Sequence, residues 1–231
     1  MYTRPFSRRA SLVLSAAAPA LLVAAASAST TYVVDVNGGP GVDFTDIPPA
    51  IAAASPGDVI LVHAGSYSGF TLSSNLSVVG TANVYTTGIQ IDNIPSGPRV
   101  ALTSFHCISL SVISCSVPVI VNDLSADGLG APPSGYAIDV QSCTDVRFRS
   151  LNVPAHFGNG TSGLRAWASR VEITNSTVSG GRGNDSQTGF DDATPGGVGV
   201  LCDSMSDVHL SLATIHGGRG GDNTITQDFT G

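Results

Sequence analysis

Past Leu72 the chain alternates short apolar stretches with Gly, Asn, Asp, Ser and Pro, the signature of short strands joined by turns. Four ten-residue segments share one pattern. They begin at Val119, Val146, Val171 and Val208, each has an apolar residue two places on, and three of the four end in Gly. Their starts recur at roughly 25 residues, with one insertion of about 12 before the last. A second strand precedes each of the last three, over residues 137–140, 163–166 and 199–202. A unit this small cannot bury its own apolar face, whereas stacked copies bury a continuous core. The pattern therefore predicts an all-β chain folded as a right-handed parallel β-helix. A β-sandwich also has short strands, but it does not predict one pattern returning in register.

One helix is expected near the start, from about Pro48 to Ala54. Thr45 or Asp46 can cap it, Pro48 and Pro49 suit its first turn, and Ser55, Pro56 and Gly57 stop it. Residues 58–62 then read as a buried strand. The first 28 residues read as a secretory signal: Arg4, Arg8 and Arg9, an apolar run over 10–26, and the small-x-small end Ala26, Ser27, Ala28. The expected organisation is a signal at 1–28, an N-terminal cap and first coil at 29–80, and coils from 81 to 231. The protein is then secreted or displayed on the cell surface. No later stretch is long and apolar enough for a membrane span. No cap is legible at the C-terminal end, which predicts either further chain or self-association there.

The N-terminal pattern also carries a family likeness. Residues 32–39, 43–47, 50–54, 56–62, 65–67 and 76–80 resemble the opening of pectate-lyase-like right-handed β-helix proteins. The resemblance implies a first strand, a helix capping the open end, and a first coil. That superfamily includes polysaccharide lyases, glycoside hydrolases, epimerases and non-catalytic surface proteins. Its pectate lyases bind Ca²⁺ through clustered Asp and use an Arg as base. No such cluster can be matched residue by residue here, so no catalytic role carries over.

Charge narrows the partners. The chain carries 10 basic and 17 acidic residues, a net charge of −7, and no Lys. Cleavage after Ala28 would remove three Arg and no acid. Such a domain is a poor binder of nucleic acid through phosphates. The expected function is to engage extracellular or cell-envelope polysaccharide, as a binder or as a polysaccharide lyase or glycoside hydrolase. The alternative is a non-catalytic surface or adhesive module of a larger exported protein.

Stacking the repeats turns sequence positions into neighbours. Arg147, Glu172 and His209 occupy the second position of successive repeats and should form one outward column. Glu172 is the only Glu. The column reads as an acid/base constellation on a sugar, or as a plain charge ladder. Asp145, Arg170 and Asp207 align just before it, and Asp139 aligns with Arg165. An acidic glycan could meet Arg147, Arg149 and Arg165 on a common groove.

Two segments, 180–185 and 217–222, read G-G-x-G-x-D and resemble the opening of the calcium-binding nonapeptide of RTX proteins. Asp185 and Asp222, with Asp191 and Asp192 nearby, are candidate Ca²⁺ ligands. The apolar residue the nonapeptide expects is instead Gln187 or Thr224, so flexible turns are the other reading. No cofactor is required by any motif. Cys107, Cys115, Cys143 and Cys202 allow three disulfide pairings, or serve as small buried residues. His63, His106 and His156 read as incidental. Trp167 is expected in a turn between strands.

Overall fold

The computed structural model describes residues 29–128, 135–154, 161–183, 195–203 and 205–219. Residues 1–28 lie outside them, as do Asp185, Asp191, Asp192, Asp222 and His156, so the signal and Ca²⁺ expectations do not meet the described residues.

All described strands belong to one sixteen-stranded sheet, and every strand pairing in it is parallel. Each repeat feeds three ladders. The first runs through Thr31–Val34, Val59–Val62, Ser77–Gly80, then the N-terminal parts of Val100–Ile113, Val119–Ala126 and Val146–Val153, and on to Arg170–Thr174 and Asp207–Ser211. The second links Gly65–Tyr67 through Tyr85, His106, Ser125, Asn152 and Thr177 to Thr214–His216. The third links Phe70–Leu72 through Ile89, Leu110, Ile138 and Leu164 to Val200. This layout is consistent with a parallel β-helix.

The expected register holds. Val146 pairs with Val119 on one side and Val171 on the other, and Val171 pairs with Val208. Alternation sends these residues inward, so Val119, Val146 and Val171 are buried, with Val121, Phe148 and Ile173 two places on. In the last described repeat the same positions are more open: Leu210 is 50% exposed, since no described strand lies on its outer side.

Two columns of sharp bends separate the ladders. Asn83, Ser104, Asp123, Ser150, Asn175 and Leu212 turn the chain from the first ladder into the second, all with φ between 50° and 60°. Asn93, Ser114, Ser142, Ala168 and Met205 do the same between the third and the first. Most are Asn, Asp or Ser, whose short polar side chains tolerate the left-handed region. Ser104 Oγ donates to Asp123 at 2.9 Å and Asn175 Nδ2 to Ser150 Oγ at 3.3 Å, tying neighbouring bends together.

At Gly80 the neighbouring repeat comes too close for a side chain. A Cβ there would lie 2.3 Å from the Ser104 carbonyl oxygen. Gly80→Ala should therefore lower stability by about 1–3 kcal/mol, measured by urea denaturation. An unchanged midpoint would contradict this backbone approach.

The helix spans Ile47–Ala53, one residue earlier than the Pro pair suggests, because the Asp46 carboxylate accepts from Ile47 N at 2.9 Å and starts the helix there. It buries Ile47 and Ala50 and lies against Thr31–Val34, Val59–Val62 and Phe70–Leu72. Near it, Asp35 is held below the ordinary carboxylate range, first by the Asn37 backbone N–H and then by His63, whose Nδ1 lies 3.0 Å away.

Trp167 is not in a turn. It ends strand Ser162–Trp167, in register with Gln141 and Asp203, and the bend comes one residue later at Ala168. Cys107, Cys115 and Cys143 are buried and Cys202 is exposed.

Candidate functional site

The outward column expected from the repeats is present. Arg147 pairs with Glu172, and Glu172 with His209, on successive strands. These residues line an open groove of about 440 Å³ together with Thr144, Asp145 and Arg170. Arg147 is gripped by Asp145, with Nε donating at 2.9 Å and Nη2 at 2.8 Å. That grip raises the Arg147 guanidinium above its ordinary value. Glu172 Oε2 stands 3.8 Å from Arg147 Nε, and His209 Nε2 lies 3.2 Å from Asp207. Arg170 Nε is 3.8 Å from the same Asp207. Glu172 and His209 are both more than half exposed. Charges here alternate along and across the strands, which is the geometry of a cross-strand ladder. A ladder holds its side chains in place, and in-place carboxylate, guanidinium and imidazole groups can hydrogen-bond a sugar or move a proton on it.

The second ion pair is more buried. Asp139, at 5% exposure, accepts from Arg165 Nε at 2.9 Å and Nη2 at 2.7 Å, across the in-register pair the repeats predict. Gln141 Nε2 donates to the same carboxylate at 2.7 Å, and the Arg165 guanidinium sits 4.5 Å from the centroid of the Tyr136 ring. With both Asp139 oxygens engaged by Arg165 and Gln141, this cluster reads as structural. It does not share the groove of Arg147, and Arg149 does not line that groove either.

A third feature was not legible beforehand. Tyr85 and His106 are directly paired neighbours on the second ladder, with ring centroids 5.0 Å apart and planes tilted by 35°. Tyr85 is 47% exposed. Two clefts meet at His106. One, of about 260 Å³, is walled by Ser66, Tyr85, Thr86, Thr87 and Asp127. The other, of about 360 Å³, is walled by Asn83, Ser104, Asp123, Ser125 and Asn152. The outward column continues Ser66, Tyr85, His106, Ser125, Asn152, Thr177 and Thr214, so an aromatic step sits in a row of hydroxyls and amides. His106 is therefore placed on a strand and faces outward, two residues past the bend at Ser104. The missing signal was register. Early repeats are irregular in length, and residues 80–82 are inserted before the bend at Asn83.

The two glycine-rich openings lie side by side, with Gly183 N donating to Arg219 O at 2.9 Å. Among the described residues no group of three His, Cys, Asp or Glu could hold a metal ion, and no helix is long and apolar enough to cross a membrane. Comparison with protein-family models, with curated proteins and with solved structures gives no match to this chain.

Proposed function

We propose that this chain is an exported right-handed parallel β-helix of the pectate-lyase-like kind, which binds neutral polysaccharide of the extracellular matrix or cell envelope. The observation that carries the binding reading is the half-exposed Tyr85–His106 step at the junction of two hydroxyl- and amide-lined clefts. A pyranose ring has an apolar C–H face and a rim of hydroxyls. A flat ring takes the first, and Ser, Asn and Asp side chains take the second. The column repeats at ~4.8 Å, close to the length of one sugar unit, so successive repeats can meet successive units. Export rests on the character of residues 1–28, and the β-helix family on the N-terminal likeness and the recurring ladders.

Isothermal titration with a panel of neutral and acidic polysaccharides, alongside an assay for new reducing ends, tests this. The expected result is binding of a neutral glycan with no new ends. Tyr85→Ala should weaken it about tenfold, while Glu172→Gln stays near wild type. A folded protein that binds no neutral glycan, or a Tyr85→Ala variant that binds as well as wild type, would sink the reading.

The Arg147–Glu172–His209 groove supports a second reading, a lyase or glycoside hydrolase acting there. Release of reducing ends that Glu172→Gln abolishes, with its circular dichroism intact, would establish it. Running both assays in Ca²⁺ and in EDTA tests whether the metal suggested by Asp185, Asp191, Asp192 and Asp222 takes part.

A further inference from the structure

We infer that Cys115 and Cys143 form a disulfide in the mature protein, joining two neighbouring repeats through the core, and that Cys107 and Cys202 remain thiols.

The placement follows from register. Ile113 pairs with Gln141 on the third ladder. Each is followed by one left-handed serine, Ser114 at φ 54° and Ser142 at φ 53°, and then by the cysteine. The two cysteines are thus equivalent positions of adjacent repeats. Backbone hydrogen bonds bracket them: Ser114 N donates to Gln141 O at 2.9 Å, and Thr144 N donates to Cys115 O at 3.1 Å. Backbones tied at this spacing sit about 4.8 Å apart, inside the ~4.4–6.8 Å between Cα atoms that a disulfide spans.

Both side chains turn into the core, Cys115 at 0% exposure and Cys143 at 3%. The Cys143 thiol reaches across to the Val112 carbonyl at 3.4 Å, toward the repeat that carries Cys115.

The other pairings fail on the same grounds. Cys107 lies on the second ladder, stacked on Thr86 and Ala126. Cys202 lies on the third ladder against Ala166, whose other neighbour is Val140. Neither stacks on a cysteine. Of the three pairings four cysteines permit, only one contains a bond the register allows.

In the folded chain the closeness of the two thiols draws the Cys115 thiol down to about 7 and pushes the Cys143 thiol up. During folding, the Cys115 thiolate can open the exchange. It displaces one thiolate from a disulfide-bearing oxidant, such as glutathione disulfide, and forms a mixed disulfide. Cys143 then loses its proton and attacks the Cys115 sulfur, releasing the second oxidant thiolate. The two electrons given up by the cysteines reduce the oxidant's disulfide to two thiols. Because both residues are buried once folded, the exchange belongs to the folding step, while this layer is still open.

The test uses the full mature chain, reduced, unfolded and refolded in a glutathione redox buffer, so its result does not depend on export or on glycan binding. Titration in denaturant should find two thiols rather than four. Cleavage on the N-terminal side of Asp should leave the peptide 92–122 joined to 139–144 until reductant is added. Cys107→Ala should keep that link and Cys115→Ala should abolish it. Reduction of the refolded protein should lower Tm by about 10 °C. Four thiols in a folded product, a link through Cys107 or Cys202, or a Tm indifferent to reductant would each overturn the proposal. Should Cys115→Ala not fold, the peptide map of wild type beside Cys107→Ala still identifies the partners.

Discussion

Phe148→Ala is expected to destabilise the protein by about 4 kcal/mol, seen as a fall in Tm of about 10 °C by circular dichroism. Phe148 is fully buried, and it sits in register between Val121 and Ile173. Those smaller neighbours belong to strands pinned by parallel backbone ladders on both sides. They cannot close far over the space a lost ring leaves, so the cavity penalty adds to the lost transfer energy. In a stack, each repeat contacts mainly the next, so the loss falls on one interface and should broaden or split the transition. A change below about 1 kcal/mol would show that this column is not the close-packed interior described above.

Arg165→Met should cost about 3 kcal/mol, the second largest expected effect. It strands the Asp139 carboxylate, which is buried while its guanidinium partner is about a quarter exposed. Partial exposure of Arg165 places the cost at the low end for a broken buried pair. Gln141 still donates to Asp139, but one neutral donor does not replace two charged ones. Adding Asp139→Asn removes the stranded charge, so the double variant should regain most of the loss. Chemical denaturation of the four proteins as a double-mutant cycle measures this directly. A double variant no more stable than Arg165→Met alone would mean that the cost lies in the lost contact with Tyr136, not in the carboxylate.

The two expectations differ in how readable they were. Phe148, at the third position of a repeat, was legible as core from the pattern that begins at Val146. The column of Arg147, Glu172 and His209 was legible for the same reason, since a period of two sends the second position outward. What the column does was not legible. Asp145 holds Arg147 with two hydrogen bonds, and the alignment alone cannot say whether a side chain turns along its strand or across to the next. Tyr85 and His106 escaped because the early repeats vary in length, so no fixed period brings them together.

The bends show the same division. Asn, Asp and Ser were among the expected turn residues and do form most corners, but Ala168, Met205 and Leu212 also stand there at positive φ. A backbone fixed by ladders on both sides of a corner can impose that conformation on residues with little preference for it.

Local patterning was enough for the strands from Val119 onward, their inward and outward faces, their repeat register and the capped helix. These depend on local periodicity and on apolar residues that no small unit can bury alone. Only the tertiary structure decided which side chains meet across repeats: Tyr85 on His106, Asp145 on Arg147, Cys115 beside Cys143. Those encounters are set by register and by insertions between ladders, and a neighbour stacked ~4.8 Å away can be some two dozen residues distant along the chain.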